Sequence, residues 1–276
     1  MIFLVTLAVL ATIFTFNNTI KPRFVFASQE SPADANQVLA ELEQEDPNRP
    51  QHKNPAFKER IEERVKMVAR QIQARDVNDP NVLKAMRIVP RHAFVPQSEQ
   101  SVAYIDSPLP IGYDQTISQP YIVALMTTML DAQEEHRVLE VGTGSGYQTM
   151  ILARLAREVY TMERIAELQE DARRVLASLG VENVHFIVGD GTLGYLPAAP
   201  YDRILVTAGA PDVPSALVDQ LTEGGVMVLP VGPTDRQTLT AVEKRGGRVI
   251  ETPGIGVRFV KLIGTYGWRA DEEAEP

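Results

Sequence analysis

The chain contains no cysteine, which excludes disulfide scaffolds, thiolate nucleophiles, zinc ribbons and iron–sulfur sites. Its four histidines are far apart and do not have the spacing of metal ligands. Aromatic residues are sparse, at 7% of the sequence, whereas hydrophobic residues make up 44%. With 276 residues, the chain is long enough to bury a sizeable core without covalent or metal crosslinks. We therefore predict a globular protein without a metal site.

A strong charge field is also missing from most of the chain, although the net charge is −9. Residues 28–48 carry six acids and no base, and the tail after Arg269 carries four acids. Residues 1–27 carry two bases, which leaves −1 for residues 49–269. Because a nearly neutral domain does not concentrate polyanions, we do not expect nucleic acid to be a partner.

The N-terminal region differs from the rest of the chain. Residues 2–16 form an apolar run that is short for a membrane span and is typical of a signal peptide, although no base precedes it. Residues 1–27 are thus a candidate signal or anchor, or the result of a misplaced start. The acidic stretch at 28–54 has three prolines and little apolar content, so we predict a flexible linker there. A folded domain at 55–268 and an acidic tail at 269–276 complete the expected organisation.

Within the domain, helical and strand patterns alternate. Ile61, Val65, Val68 and Ile72 recur at helical spacing, and Asp79-Pro80 is a helix-start signal. Predicted strands and helices then alternate from residue 137 to residue 231, followed by strand-like segments at 237–244, 249–252 and 259–263. This alternation predicts an α/β fold with a doubly wound, mostly parallel, Rossmann-like sheet and an N-terminal helical addition.

Polar residues follow three of the predicted strands, at the sheet edge where ligands bind in such folds. The first strand ends in a glycine cluster at Gly142, Gly144 and Gly146, which would let the backbone approach a ligand closely. Glu140 precedes this cluster and could reach the ammonium group of a cofactor. Each of two further carboxylates has both a functional and a structural interpretation. Glu163 could bind ribose hydroxyls or be a surface acid, and Asp190, beside Gly191, could accept from an adenine amino group or form a turn.

Several motifs resemble known sequences. Residues 138–147 (VLEVGTGSGY) resemble the first motif of class I S-adenosylmethionine-dependent methyltransferases. Residues 114–121 (DQTISQPY) resemble the signature of the protein-L-isoaspartate O-methyltransferase family. Further matching segments lie at 89–96, 109–112, 189–191, 221–225, 229–232 and 257–260, so the resemblance runs from about residue 60 to about residue 263. The N-terminal 54 residues and the acidic tail have no counterpart.

The resemblance implies a reaction and roles for individual residues. S-adenosyl-L-methionine would donate a methyl group to the free α-carboxylate of L-isoaspartyl residues in damaged proteins and peptides, beginning repair through a succinimide. Ser118 is the candidate catalytic residue, and its alternative role is a helix N-cap. Thr116, Ile117, Val257 and Arg258 are candidate substrate contacts, although Arg258 could equally form a surface ion pair. The cofactor site would comprise Glu140, Gly142, Gly144, Gly146, Glu163, Asp190 and Gly191.

Three alternatives fit parts of the sequence. Another class I methyltransferase, acting on a small molecule or on RNA, would share the cofactor site but not the segment at 116–120. An NAD-dependent oxidoreductase is disfavoured because Tyr147 stands where the dinucleotide fingerprint G-x-G-x-x-G needs its third glycine. A non-catalytic binding module would not need an intact cofactor site. We expect a monomeric cytoplasmic enzyme, or a periplasmic or membrane-anchored one if residues 2–16 are retained or direct export.

Overall fold

The computed structural model describes residues 35–44 and 54–270. The predicted signal or anchor segment at 1–27 and residues 271–276 of the acidic tail lie outside these ranges. Within the described ranges, no helix has both the length and the apolar character that crossing a bilayer requires.

Nine strands form two sheets. In chain order they are β1 (Leu109–Gly112), β2 (Gln115–Ile117), β3 (Arg137–Val141), β4 (Glu158–Glu163), β5 (Val184–Val188), β6 (Tyr201–Val206), β7 (Leu221–Val231), β8 (Gln237–Arg245) and β9 (Arg248–Val257). β1 and β2 form an antiparallel hairpin, and the other strands form one sheet in the order β5-β4-β3-β6-β7-β8-β9. The five strands from β5 to β7 in that order are parallel, and β8 and β9 are added antiparallel.

Seven α-helices accompany the strands in the described part of the chain. They are α1 (Ala35–Gln44), α2 (Ile61–Met67), α3 (Pro80–Ile88), α4 (Pro120–Leu130), α5 (Tyr147–Leu155), α6 (Ala166–Ser178) and α7 (Ser215–Asp219). The predicted helix start at Asp79-Pro80 is confirmed, because the Asp79 carboxylate accepts hydrogen bonds from the backbone N–H groups of Asn81 and Val82. The helical pattern at 61–72 is confirmed as α2 followed by a π-helical turn at Val68–Ile72.

The strand order positions the functional edge of the sheet. β3 lies in the middle of the five parallel strands, and four of its five residues are buried, which places it in the interior on both faces. The chain moves outward from β3 through β4 to β5 and then returns to the other side of β3 as β6. Helices connecting strands on either side of this reversal leave a crevice at the carboxyl ends of β3 and β6. The predicted doubly wound, mostly parallel fold is confirmed.

The prediction was wrong at the end of the domain. Residues 259–263, predicted as a strand, form only isolated bridges, in which Lys261 pairs with Gly209 and Ile263 with Trp268. After β9 this segment crosses the carboxyl ends of the sheet strands instead of extending the sheet. Its apolar side chains cover that edge of the sheet. Because they are as frequent in this segment as in a strand, the sequence pattern was interpreted as a strand.

The linker interpretation of residues 28–54 was wrong for residues 35–44, which form α1. Val38 and Leu42 of α1 are buried and belong to the same hydrophobic cluster as Phe57 and Ile61. Glu41 also forms an ion pair with Arg87 of α3, at 3.5 Å. The acidic composition suggested a solvated chain, but two apolar residues at i and i+4 are enough to form a narrow contact stripe.

The docking of α1 can be tested by placing a charge in this contact. Val38→Asp should release α1, because an unpaired carboxylate is strongly disfavoured at a buried position. Ala40→Asp is the matched control, since residue 40 is exposed on the same helix. In limited proteolysis, we expect faster cleavage within residues 35–44 for Val38→Asp than for Ala40→Asp. Equal cleavage rates of the two variants would contradict the docking.

Candidate active site

A cleft opens at the carboxyl ends of the parallel strands and encloses about 850 Å³, counted to its open mouth. That volume is within the range of small-molecule sites. The cleft brings together seven of the residues predicted from the sequence. These are Thr116, Ile117, Ser118, Gly142, Gly144, Glu163 and Gly191.

The glycine turn after β3 forms the floor of the cleft and is attached to both neighbouring strands. The N–H groups of Gly142 and Thr143 donate to the carbonyl oxygen of Met162, at 2.8 and 3.2 Å. On the other side, the hydroxyl of Thr207 donates to the carbonyl oxygen of Gly142 at 2.7 Å. Gly142 has a φ of +100°, and a Cβ atom there would lie 2.3 Å from the Thr207 hydroxyl oxygen. Both conformation and space therefore require glycine at this position.

Glu163 ends β4 and its carboxylate faces the cleft. One oxygen, Oε1, accepts from the N–H groups of Arg164 and Ile165, and the other, Oε2, accepts from the N–H of Gly144 at 3.2 Å. A carboxylate oxygen can accept two hydrogen bonds, so Oε2 has capacity for one further donor. The turn thus holds Glu163 in place while leaving an acceptor for a ligand hydroxyl.

Ser118 lies between the hairpin strand β2 and helix α4, on the wall opposite the glycine turn. The structure assigns the N-cap of α4 to Gln119 and not to Ser118. The Ser118 hydroxyl makes no hydrogen bond to any residue in 35–44 or 54–270. It is therefore available to a molecule in the cleft.

Glu140 does not line the cleft, although the sequence suggested that it could reach a cofactor. It is fully buried beneath the glycine turn, and its Oε2 atom accepts from the hydroxyls of Thr149 and Thr161 at 2.5 and 2.6 Å. The hydroxyl of Thr161 also bonds that of Thr143 in the turn, at 2.6 Å. Burial raises the pKa of Glu140 to about 8, and Glu163 adds to this, while the two threonine hydroxyls oppose it. Glu140 is thus protonated at neutral pH and supports the turn from below.

Asp190 is also engaged within the protein. Its Oδ1 atom accepts from the N–H and hydroxyl of Thr192, and its Oδ2 atom accepts from the N–H and hydroxyl of Thr265. Burial opposes ionisation, but these four hydrogen bonds hold the pKa of Asp190 below its usual value. Since a carboxylate has about four acceptor positions, none is left for an adenine amino group in this arrangement. The turn interpretation describes Asp190 here, and its neighbour Gly191 reaches the cleft.

Three other predicted residues lie outside the cleft. Gly146 is the N-cap residue of α5, and a Cβ atom there would lie 3.1 Å from Leu176 of α6, so its small size serves helix packing. Val257 ends β9 and Arg258 is exposed just after it. The chain enters the cleft only two residues later, from Val260 to Ile263.

Sequence reasoning missed several residues that line the cleft. Thr207 and Ala208 follow β6, Arg164 follows Glu163, and Lys261 lies one residue beyond the last matching segment. The end of β6 was visible in the sequence as a strand boundary, but nothing there marked Thr207 as polar support for the glycine turn. Lys261 was missed because its segment was assigned to a strand. Arg164 and Lys261 are the cations among the cleft residues.

The lining fits an adenosyl cofactor. Glu163 retains an acceptor for a ribose hydroxyl. Gly144 has room around it, because a Cβ atom there would meet only Ile111, at 3.7 Å. Apolar side chains of Ile117, Met126 and Met162 complete the walls. This combination of polar and apolar residues in the cleft is compatible with a ligand that contains a cationic group, a sugar and a planar base.

Comparison with known proteins agrees with this geometry. The family model described as Protein-L-isoaspartate(D-aspartate) O-methyltransferase (PCMT) matches residues 62–267. A protein-L-isoaspartate O-methyltransferase of Methanoculleus marisnigri is 54% identical over 209 residues, which are 76% of this chain and 95% of the relative. Protein-L-isoaspartate O-methyltransferase 2 of Geotalea uraniireducens is 55% identical over 210 residues, covering 76% of this chain and 97% of the relative.

Solved structures are similar in the same region. A protein-L-isoaspartate O-methyltransferase superposes with a TM-score of 0.68 at 31% identity, covering 74% of this chain and 67% of the other. A candidate protein-L-isoaspartate O-methyltransferase of Plasmodium falciparum, solved in complex with S-adenosyl-L-homocysteine, gives a TM-score of 0.63 at 26% identity, covering 72% and 97% of the two chains.

Because Glu140 is protonated in the folded protein, the free energy of unfolding should depend on pH. The folded protein holds this proton up to about pH 8, whereas the unfolded chain releases it near pH 4.5. Folding therefore takes up a proton between these values, and the free energy of unfolding decreases as the pH rises through that window. Glu140→Gln cannot titrate, so the stability of the wild type relative to this variant should fall from pH 5 to pH 8. Urea unfolding of the apo protein measures this difference. The exposed Glu134→Gln variant is the control, and a wild-type advantage over Glu140→Gln that does not change with pH would contradict the assignment.

Proposed function

Because this chain belongs to the protein-L-isoaspartate(D-aspartate) O-methyltransferase family, we propose that it transfers the methyl group of S-adenosyl-L-methionine to the free α-carboxylate of L-isoaspartyl residues. Its substrates are damaged proteins and peptides that contain this residue. The observation that carries the proposal is the position of Ser118 in a cleft that it shares with the glycine turn and Glu163.

The chemistry of the methyl acceptor determines which catalytic groups the protein has to supply. A carboxylic acid of this kind has a pKa near 4, so the α-carboxylate is ionised at neutral pH and no side chain has to remove a proton. S-adenosyl-L-methionine supplies an electrophilic methyl group when it is bound. The protein contributes by aligning the acceptor and by excluding water around it. A cleft without a cysteine or a histidine in its lining is sufficient for this reaction.

The proposed roles follow from the two walls of the cleft. The glycine turn, Glu163 and Gly191 hold the cofactor, and Glu140 supports the turn from below. Ser118 donates a hydrogen bond to the substrate carboxylate, which orients it without taking its charge. Thr116 and Ile117 continue the same wall along β2 and contact the substrate backbone. Lys261 lies on the segment that closes the cleft and adds positive charge for an anionic acceptor.

Repair follows from the product's own reactivity. The methyl ester loses methanol when the neighbouring backbone nitrogen closes a succinimide, and hydrolysis of the succinimide returns some normal aspartate. These two steps, ring closure and hydrolysis, use no further group of the protein. The enzyme therefore begins repair by turning a poor leaving group into a good one.

We also propose that the enzyme acts as a cytoplasmic monomer without a nucleic-acid partner. The cofactor is made in the cytoplasm, which supports this compartment. The apolar residues 2–16 favour the envelope instead, so cell fractionation with N-terminal sequencing of the mature protein is the test. A mature chain recovered from the envelope with residues 2–16 intact would contradict a cytoplasmic location.

Substrate specificity is tested with a pair of peptides that differ only in one linkage. We expect methylation of an isoaspartyl peptide and none of its aspartyl twin, since the twin has its α-carboxylate within the peptide bond.

Titration with S-adenosylhomocysteine and with NAD identifies the cofactor class, and we expect binding of the former only. Equal methylation of both twins, or binding of NAD, would overturn the proposed function.

The role of Ser118 is tested by Ser118→Ala. Loss of one hydrogen bond to the acceptor should lower kcat for the isoaspartyl peptide by at least about tenfold. The dissociation constant of S-adenosylhomocysteine should stay nearly unchanged, because Ser118 serves the acceptor. Ser101→Ala is the control, since that serine is exposed and does not line the cleft. Full turnover by Ser118→Ala would remove Ser118 from the catalytic residues.

A further inference from the structure

Helix α4 begins immediately after the Ser118 segment, and its start lacks local capping. Its N-cap residue, Gln119, makes no side-chain capping bond, and its first residue, Pro120, has no N–H to donate. The first N–H that needs a partner therefore belongs to Tyr121. In most helices an N-cap side chain accepts from this position or from the next one.

Asp106 provides the missing acceptor from a distant part of the chain. Its Oδ1 atom accepts from the N–H of Tyr121 at 3.1 Å, and its Oδ2 atom forms a longer contact, 3.4 Å, with the side-chain amide of Gln119. A carboxylate at this end of a helix is also favoured by the helix dipole. Asp106 thus contacts both residues that frame Pro120, one and three positions beyond Ser118.

Arg75 holds Asp106 in this position. Its Nη1 atom donates to Asp106 Oδ2 at 2.8 Å, and its guanidinium carbon lies 3.3 Å from the centre of the Tyr121 ring. Arg75 belongs to the turn that ends the N-terminal helical segment, whereas Asp106 precedes the β1–β2 hairpin. Three segments that are separate in sequence therefore meet at the start of α4.

We propose that Asp106 is a positioning residue for methyl transfer, which fixes Ser118 by capping α4 and is itself oriented by Arg75. The inference rests on the proposed function, because it assumes that Ser118 contacts the acceptor. Asp106 lies outside the residues that line the cleft, so it acts through the backbone of residues 118–121. Small displacements of an aligning group can lower turnover strongly, and this gives the cap a catalytic consequence.

Two variants and one control test the proposal. In Asp106→Ala, kcat for the isoaspartyl peptide should fall by about tenfold or more, while the dissociation constant of S-adenosylhomocysteine stays close to that of the wild type. Asp106→Asn keeps an oxygen that can accept from Tyr121 and loses the ion pair with Arg75. Its kcat should therefore lie between those of the wild type and Asp106→Ala. The control is Asp171→Ala, which removes an exposed carboxylate paired with Arg174 on α6. Its kcat should match that of the wild type.

Amide hydrogen exchange gives a readout that does not depend on activity. Exchange in a fragment covering residues 118–124 should be faster in Asp106→Ala than in the wild type or in Asp171→Ala, because the cap protects the start of α4. Wild-type kcat in Asp106→Ala would overturn the proposal, as would unchanged exchange in this fragment or an equal loss of turnover and cofactor affinity. If the wild type itself failed to methylate the isoaspartyl peptide, the proposed function would fail, and unchanged exchange would still be needed to reject the cap.

Discussion

The site depends on the attachment of one glycine turn to the two strands beside it. Main-chain donors at 142–143 bond the end of β4, and Thr207 after β6 bonds the turn from the other side. Below the turn, Glu140 is linked to it through the hydroxyls of Thr161 and Thr143. These contacts leave no room for a side chain at residue 142. The N–H of Gly144 in the turn also donates to Glu163, so the turn and this carboxylate are held together on the same side of the cleft.

The opposite wall is organised differently. The Ser118 segment is short and lies between a two-stranded hairpin and α4, so little regular structure holds it directly. Contacts from Asp106 and Arg75 reach the chain just after this segment, at the start of α4. In the proposed reaction the glycine turn would hold the cofactor and the Ser118 segment would align the acceptor, and alignment would provide most of the catalysis.

Sequence patterns predicted the sheet well, because its central strands are apolar runs ended by glycine or polar residues. They also predicted which strand ends meet, since parallel strands share one edge. Side-chain direction was harder to predict. Glu140 and Asp190 have the residue type of ligand contacts, but Glu140 is buried and both carboxylates accept hydrogen bonds from threonines of the protein itself. Thr161 and Thr265 are distant in sequence from the carboxylates that they contact, so no local pattern indicated them. The contact of Asp190 with Thr192 is local and corresponds to the turn that the sequence offered as the structural interpretation.

The N-terminal addition shows another limit of composition. Residues 35–44 lie in an acidic, proline-flanked stretch, yet Val38 and Leu42 dock α1 against the domain. The acidic composition reflects the solvent-facing side of the helix. It does not reveal the narrow apolar stripe on the side that packs against the domain. The same holds for Lys261, which a strand-like pattern concealed in a segment that covers the cleft.

The most direct test of the central claim is a crystal structure of this protein with S-adenosylhomocysteine and an isoaspartyl peptide. We expect the cofactor's ribose to be bound by Glu163 and the peptide's α-carboxylate to lie within hydrogen-bond distance of the Ser118 hydroxyl, facing the cofactor sulfur. A peptide carboxylate bound away from Ser118, or a cleft too narrow to admit the main chain, would contradict it.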